Sequence, residues 1–119
     1  WSRMISHQEV SDELVNSLAL IRSRFISGFV SRIENLDTLL AKIELGHDAC
    51  NALAEAAQEM HRISGVAGTL GFPVLGDLAR SAESSLRKAT SDPQNGKLLE
   101  RAIAAVDETV DVMSELVSV

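Results

Sequence analysis

The stretch EMHRISGVAGTLGFPVLGDLARSAESSLR, Glu59 to Arg87, decides the fold. Its apolar residues recur every three or four positions, which is the period of one face of an α-helix. Leu53, Ala57, Met60, Ile63 or Ser64, Ala67 and Leu70 share one side of a helix that opens near Asp48. Gly71 reads as its stop, because glycine accepts the left-handed backbone of a helix end. Pro73 reads as the first residue of the next helix, where a missing N–H costs nothing. Leu75, Leu78, Ala82 and Leu86 line that following helix. The stretch is therefore the heart of a helical hairpin, about residues 48–89, with its turn at Gly71–Phe72. It also holds an anomaly. A lone histidine, His61, precedes three glycines at three-residue spacing, Gly65, Gly68 and Gly71. Each interior glycine costs a helix roughly 1 kcal/mol relative to alanine, so the arrangement needs a reason.

The same period continues outward. Ser6 followed by Glu9 reads as a capping box opening the first helical stretch. From there Leu14, Leu18, Ile21, Phe25, Phe29, Ile33, Leu36, Leu40 and Ile43 step by three or four. That run is too long for one ordinary helix and predicts a break near Asn16. Gly46 ends it, and Asp48 reads as the cap of the next helix. TSDPQNG is the clearest loop, with Ser91 or Asp92 as a cap and Pro93 or the residues after Gly96 opening the last helix. Leu99, Ala102, Val106, Val110, Met113 and Val117 form its stripe. The fold class is all-α: an antiparallel up-and-down four-helix bundle with a short extra N-terminal helix, in a single domain over residues 1–119.

Composition agrees. A chain of 119 residues suits one core, and with 3% aromatics and no tyrosine that core is built from Leu, Ile, Val, Ala and Met. That palette favours helix over sheet. Seventeen acids against eleven bases give a net charge of −6, with no basic run, which argues against nucleic acid as a partner. No apolar run approaches the ~18 residues of a membrane span, and nothing reads as a signal peptide. A single cysteine, Cys50, fits a reducing cytoplasm. The opening WSRM reads as a domain excised from a longer chain or as a cloning remnant.

On a helical wheel His61 falls about 120° from the centre of its apolar stripe, at the edge of the buried face. Its neighbours four and seven residues away are Ala54, Ala57, Gly65 and Gly68, none with more than a methyl group. Two readings follow. The small residues clear space for a second macromolecule to reach the imidazole, or they let a neighbouring helix pack closely beside an ordinary boundary histidine. The hairpin adds a constraint, since positions whose numbers sum to about 143 lie level across it. His61 is then level with Ala82 and Glu83, and Ser64 with Ala79 and Arg80. Glu83 also lies at the edge of its own buried face, where its carboxylate would accept a hydrogen bond from the Nδ1–H of His61. That bond leaves the Nε2 lone pair free, and a neutral, oriented imidazole is a competent nucleophile. A solvated surface acid is the plainer reading of Glu83. His7 and His47 read as surface residues, and Cys50 as a small, partly buried one.

HRISGVAGTLG, His61 to Gly71, resembles the signature of histidine-phosphotransfer (HPt) domains: histidine, an aliphatic residue two later, glycine four later and glycine ten later. AGTLGF, followed by leucines and Glu83, is similar to the version of the domain that opens chemotaxis histidine kinases. The resemblance implies a phosphoryl carrier in two-component signalling. His61 would exchange the group with an aspartate of a response-regulator receiver domain, and Glu83 would support the ring. Ala54, Ala57, Gln58, Gly65 and Gly68 would lie at the docking surface. One position departs from the pattern. The family's usual lysine, three residues after the histidine, is Ser64 here, and Arg80 is the cation expected to replace it. The implied partners are a receiver and a histidine kinase, and the implied state is a monomer. No cofactor or metal of its own is implied, because the receiver brings the Mg²⁺. An independent enzyme is disfavoured, as the chain has no P-loop, nucleotide motif or nucleophile–base–acid set. A dimerising kinase hairpin would carry an acid directly after the histidine, where Arg62 stands. The competing reading is a helical-bundle adaptor that docks a signalling partner with His61 idle.

Overall fold

A computed structural model describes residues 2–118, with side chains from Asp12 onward. Five helices follow one another: α1 (Ser2–Ser27), α2 (Phe29–Leu45), α3 (Ala49–Ala67), α4 (Pro73–Ser91) and α5 (Gly96–Ser118). Helices α2 to α5 form the antiparallel bundle, each packed on the next, with α5 closing back onto α2. Its core is the apolar stripe of each helix: Phe29 and Leu36 from α2, Met60 and Ile63 from α3, Leu75 and Leu86 from α4, Val106 and Met113 from α5, all fully buried. Each such side chain contributes roughly 1.5–3 kcal/mol by leaving water. Helices α3 and α4 also bury small residues, Ala56, Ala57, Ala67, Ala79 and Ala82, and at their junction the Ala67 methyl lies 3.8 Å from where a Cβ of Gly76 would sit. With only methyl groups between them, the two backbones approach closely. A Cβ on Gly76 would lie 3.4 Å from the Gly68 backbone nitrogen.

The tightness of that hairpin is set at its turn. Gly71 adopts φ +87°, a left-handed conformation that a side chain would oppose. Phe72 N–H donates to the Ala67 carbonyl at 2.8 Å and Gly71 N–H to the Gly68 carbonyl at 3.4 Å. This is the Schellman pattern of a helix C-terminus. Leu70 O, a further carbonyl of that end, accepts the Nε–H of Arg22 from α1. Pro73 then opens α4 as its first residue.

Three boundaries and one capping contact differ from the sequence reading. The leading helix is not short: α1 has 26 residues, and the break falls at Gly28 rather than near Asn16. Asn16 is exposed and interrupts nothing, whereas Gly28 stays near helical geometry (φ −78°, ψ −9°) and only redirects the chain. Ser6 therefore lies inside α1 rather than at its start, and its side chain and that of Glu9 fall outside the described residues. The last helix is capped by Asn95, whose Oδ1 accepts from the backbone N–H groups of Lys97 and Leu98 at 3.1 and 3.3 Å. Ser91 and Asp92 instead finish α4. Asp48 does occupy the position before α3, but its carboxylate accepts from the Asn51 side chain rather than from a backbone N–H. Among the described residues no helix is long and apolar enough to cross a membrane.

Candidate functional site

His61 sits about two-thirds of the way along α3, before the Gly71 turn. Its side chain is 69% exposed, while Met60 and Ile63 on either side are buried. Those neighbours hold the helix face down, so the ring stands at the rim of the seam with α4. Across the seam, Glu83 is mostly buried, and its Oε1 lies 3.1 Å from His61 Nδ1. The level pairing counted along the hairpin thus brings these two groups together. With Glu83 ionised, its oxygens only accept, so the neutral ring donates Nδ1–H and leaves Nε2 without a proton.

The second oxygen of Glu83 is also taken. Arg87, one turn further along α4, donates Nε–H to Oε2 at 2.9 Å, with a terminal nitrogen 2.8 Å away. Burial pushes the Glu83 carboxyl up. The hydrogen bonds and charges of Arg87 and His61 outweigh that, and hold it below the usual carboxylate value. One carboxylate is shared between an imidazole and a guanidinium.

Sequence reasoning missed Arg87. The signal was present, since Glu83 and Arg87 form an i, i+4 acid–base pair on one helix face. The two residues assigned to phosphoryl stabilisation are placed otherwise. Arg80 is exposed and donates to Asp77 Oδ1 at 3.1 Å on its own helix. Ser64 Oγ donates back to the His61 carbonyl at 2.9 Å. A buried acid on α3, Glu59, was missed as well. It accepts from Arg32 of α2 and from Arg62, so the guanidinium beside His61 is turned away from the ring.

Of the residues expected at the docking surface, Ala54, Gln58, Gly65 and Gly68 are exposed. Ala57 is fully buried in the seam and drops out of any docking surface. A Cβ on Gly65 would meet nothing within 4 Å, and one on Gly68 only the Ser64 carbonyl of its own helix at 4.0 Å, so both leave open space on the His61 helix. The close helix packing rests instead on Gly76 of α4, where a Cβ would lie 3.4 Å from the Gly68 backbone nitrogen. Arg87 stands between two shallow hollows, one of about 300 Å³ shared with Ala54 and Gln58, the other of about 490 Å³ shared with Arg80, Ser84 and Lys88. His47 is exposed beyond Gly46, Cys50 is exposed rather than partly buried, and His7 lies outside the described side chains.

A bundle with one exposed, carboxylate-held histidine on its tightest hairpin narrows the field, and sequence comparison decides it. The family model of the Hpt domain matches residues 21–115. The chain belongs to the Hpt domain family. No solved structure matches it. Hpt domains are phosphocarrier modules of phosphorelay signalling, not catalysts in their own right, and as a family they work with receiver domains and kinases. The matched segment starts at residue 21, within α1, so residues 2–20 of that helix lie outside the Hpt match.

Proposed function

We propose that this Hpt domain carries a phosphoryl group on Nε2 of His61 and exchanges it with an aspartate of a response-regulator receiver domain in the cytoplasm. The observation that carries the reading is the 3.1 Å contact between His61 Nδ1 and Glu83 on an otherwise exposed ring. In the forward step the Nε2 lone pair forms the N–P bond. The bond from phosphorus to the donor aspartate oxygen breaks, and its electron pair leaves with that carboxylate. The Nδ1 proton stays on the ring, and the positive charge that develops there is met by Glu83. Transfer of this kind is mainly a matter of positioning and electrostatics. This chain supplies the oriented nitrogen and the docking face of Ala54, Gln58, Gly65 and Gly68, and the receiver supplies the Mg²⁺ and most of the stabilising charge. A histidine kinase is the ultimate source of the phosphoryl group.

Charge supports the reading. Residues 49–91 hold four basic and four acidic side chains, so the hairpin is neutral in a protein of net charge −6. An anionic phosphoryl group therefore meets less repulsion there than on α5, where five acids outnumber two bases. The test is incubation with a receiver domain charged by acetyl phosphate, followed by detection of acid-labile phosphate. Label on the wild type and none on His61→Gln is the expected result. A folded wild type that never takes label would leave the helical-bundle adaptor as the better reading.

A further inference from the structure

We propose that Arg87 is a positioning residue for His61, acting through Glu83: it fixes the carboxylate so that one oxygen always faces Nδ1. The proposal rests on the phosphocarrier reading and deepens it. Glu83 has two oxygens and a flexible stem. Without a second anchor the carboxylate is free to rotate toward water and release the ring. Arg87 removes that freedom by gripping Oε2 with two nitrogens, at 2.9 and 2.8 Å, while Oε1 remains 3.1 Å from Nδ1. Two donors on one oxygen, with a third on the other, leave the carboxylate a single orientation.

Arg87 also helps to keep Glu83 ionised, since its hydrogen bond and charge hold that carboxyl below the usual carboxylate value. An ionised Glu83 only accepts hydrogen bonds, which keeps the proton of the neutral ring on Nδ1 and leaves Nε2 free for the phosphoryl group. The other charged groups of the hairpin near this level do not take the role. Arg62, next to His61 on α3, is bound to Glu59, and Arg80 is bound to Asp77. Lys88 borders the hollow on the far side of Arg87, and Glu55 the hollow toward Ala54. On this account Arg87 supplies the positive charge that the lysine missing at Ser64 would have supplied, by a different route. It supports the ring from behind instead of meeting the phosphoryl group in front.

The test combines variants with two readouts on the full chain. Transfer to His61 from an acetyl-phosphate-charged receiver is timed, and the ring nitrogens are followed by ¹⁵N NMR. Arg87→Ala is expected to slow transfer roughly tenfold and to mix the two imidazole tautomers. Arg87→Lys should restore most of the loss. On a Glu83→Gln background, adding Arg87→Ala should change the rate little, because the route through Glu83 is already cut. An Arg87→Ala protein with the wild-type tautomer overturns the proposal. A full further tenfold loss on the Glu83→Gln background also overturns it, since Arg87 would then act directly on the partner or phosphoryl group. If wild type and Arg87→Ala are labelled equally, this proposal alone fails. If the wild type takes no label at His61, the phosphocarrier reading itself fails.

Discussion

At His61 a single hydrogen bond decides which nitrogen is available for chemistry, and the residues that make it were unequally visible. Counting outward from Gly71 along both arms of the hairpin was enough to bring Glu83 level with the ring, because helix rise is constant and the turn is short. Counting gave heights but not engagements. Arg80 stands near the right height, yet an acid one turn away on its own helix holds it, and Ser64 folds its hydroxyl back onto the His61 carbonyl. Arg87 escaped notice because it touches His61 only through Glu83. Replacing Glu83 by alanine is expected to slow transfer by roughly 10- to 100-fold, the usual effect of losing a ring's orienting partner, with the rate of His61 labelling as the measure. The same carboxylate ties stability to pH. Its folded pKa is lowered, so its contribution is fully present above the unfolded value near 4.5 and is lost as pH falls through the lower folded value. Urea midpoints of wild type and Glu83→Gln should therefore differ near neutrality and converge at strongly acidic pH.

At the level of elements, the hairpin was legible because glycine and proline punctuate it and because its alanines declare a close seam. The glycines have separate physical roles, and substitutions should separate them. At Gly71 a left-handed backbone opposes any Cβ, and the Arg22 guanidinium lies 2.7 Å from where that carbon would sit. Gly71→Ala should cost about 1–2 kcal/mol in urea unfolding. Gly65→Leu meets open space and should leave stability within about 0.5 kcal/mol while blocking transfer from a receiver, because the new side chain stands beside the ring. Gly76→Leu should do the opposite kind of damage, forcing α4 off the Gly68 backbone and lowering the unfolding midpoint. The first helix was read less well. Its apolar period runs unbroken from Leu14 to Ile43, so periodicity alone could not reveal that the break needed only one glycine, Gly28. The Asn95 cap was hidden among several candidates in TSDPQNG, since Ser, Asp and Asn all suit a helix start.

Across the whole molecule, the bundle core and the exposed half of α1 obey different constraints. Core residues such as Leu86 and Met60 are completely enclosed, and truncating either to alanine should cost about 2–5 kcal/mol, read from denaturant unfolding. Leu14 and Leu18 continue the same stripe in sequence but are 60% and 37% exposed, because that part of α1 extends past its supporting helices. Helix type was therefore legible throughout the chain, while burial was not, since an apolar period does not say whether a neighbour exists to cover it. The site depends on the rigid part: α3 and α4 share the most closely packed seam, and His61, the proposed phosphoryl acceptor, stands on its rim. The most direct measurement of the central claim is ³¹P and ¹⁵N NMR of the protein after loading with phosphoramidate. A single phosphohistidine at His61, bonded through Nε2 with Nδ1 still protonated, is the expected result. Phosphate on Nδ1, or on His47 in preference to His61, would contradict the account.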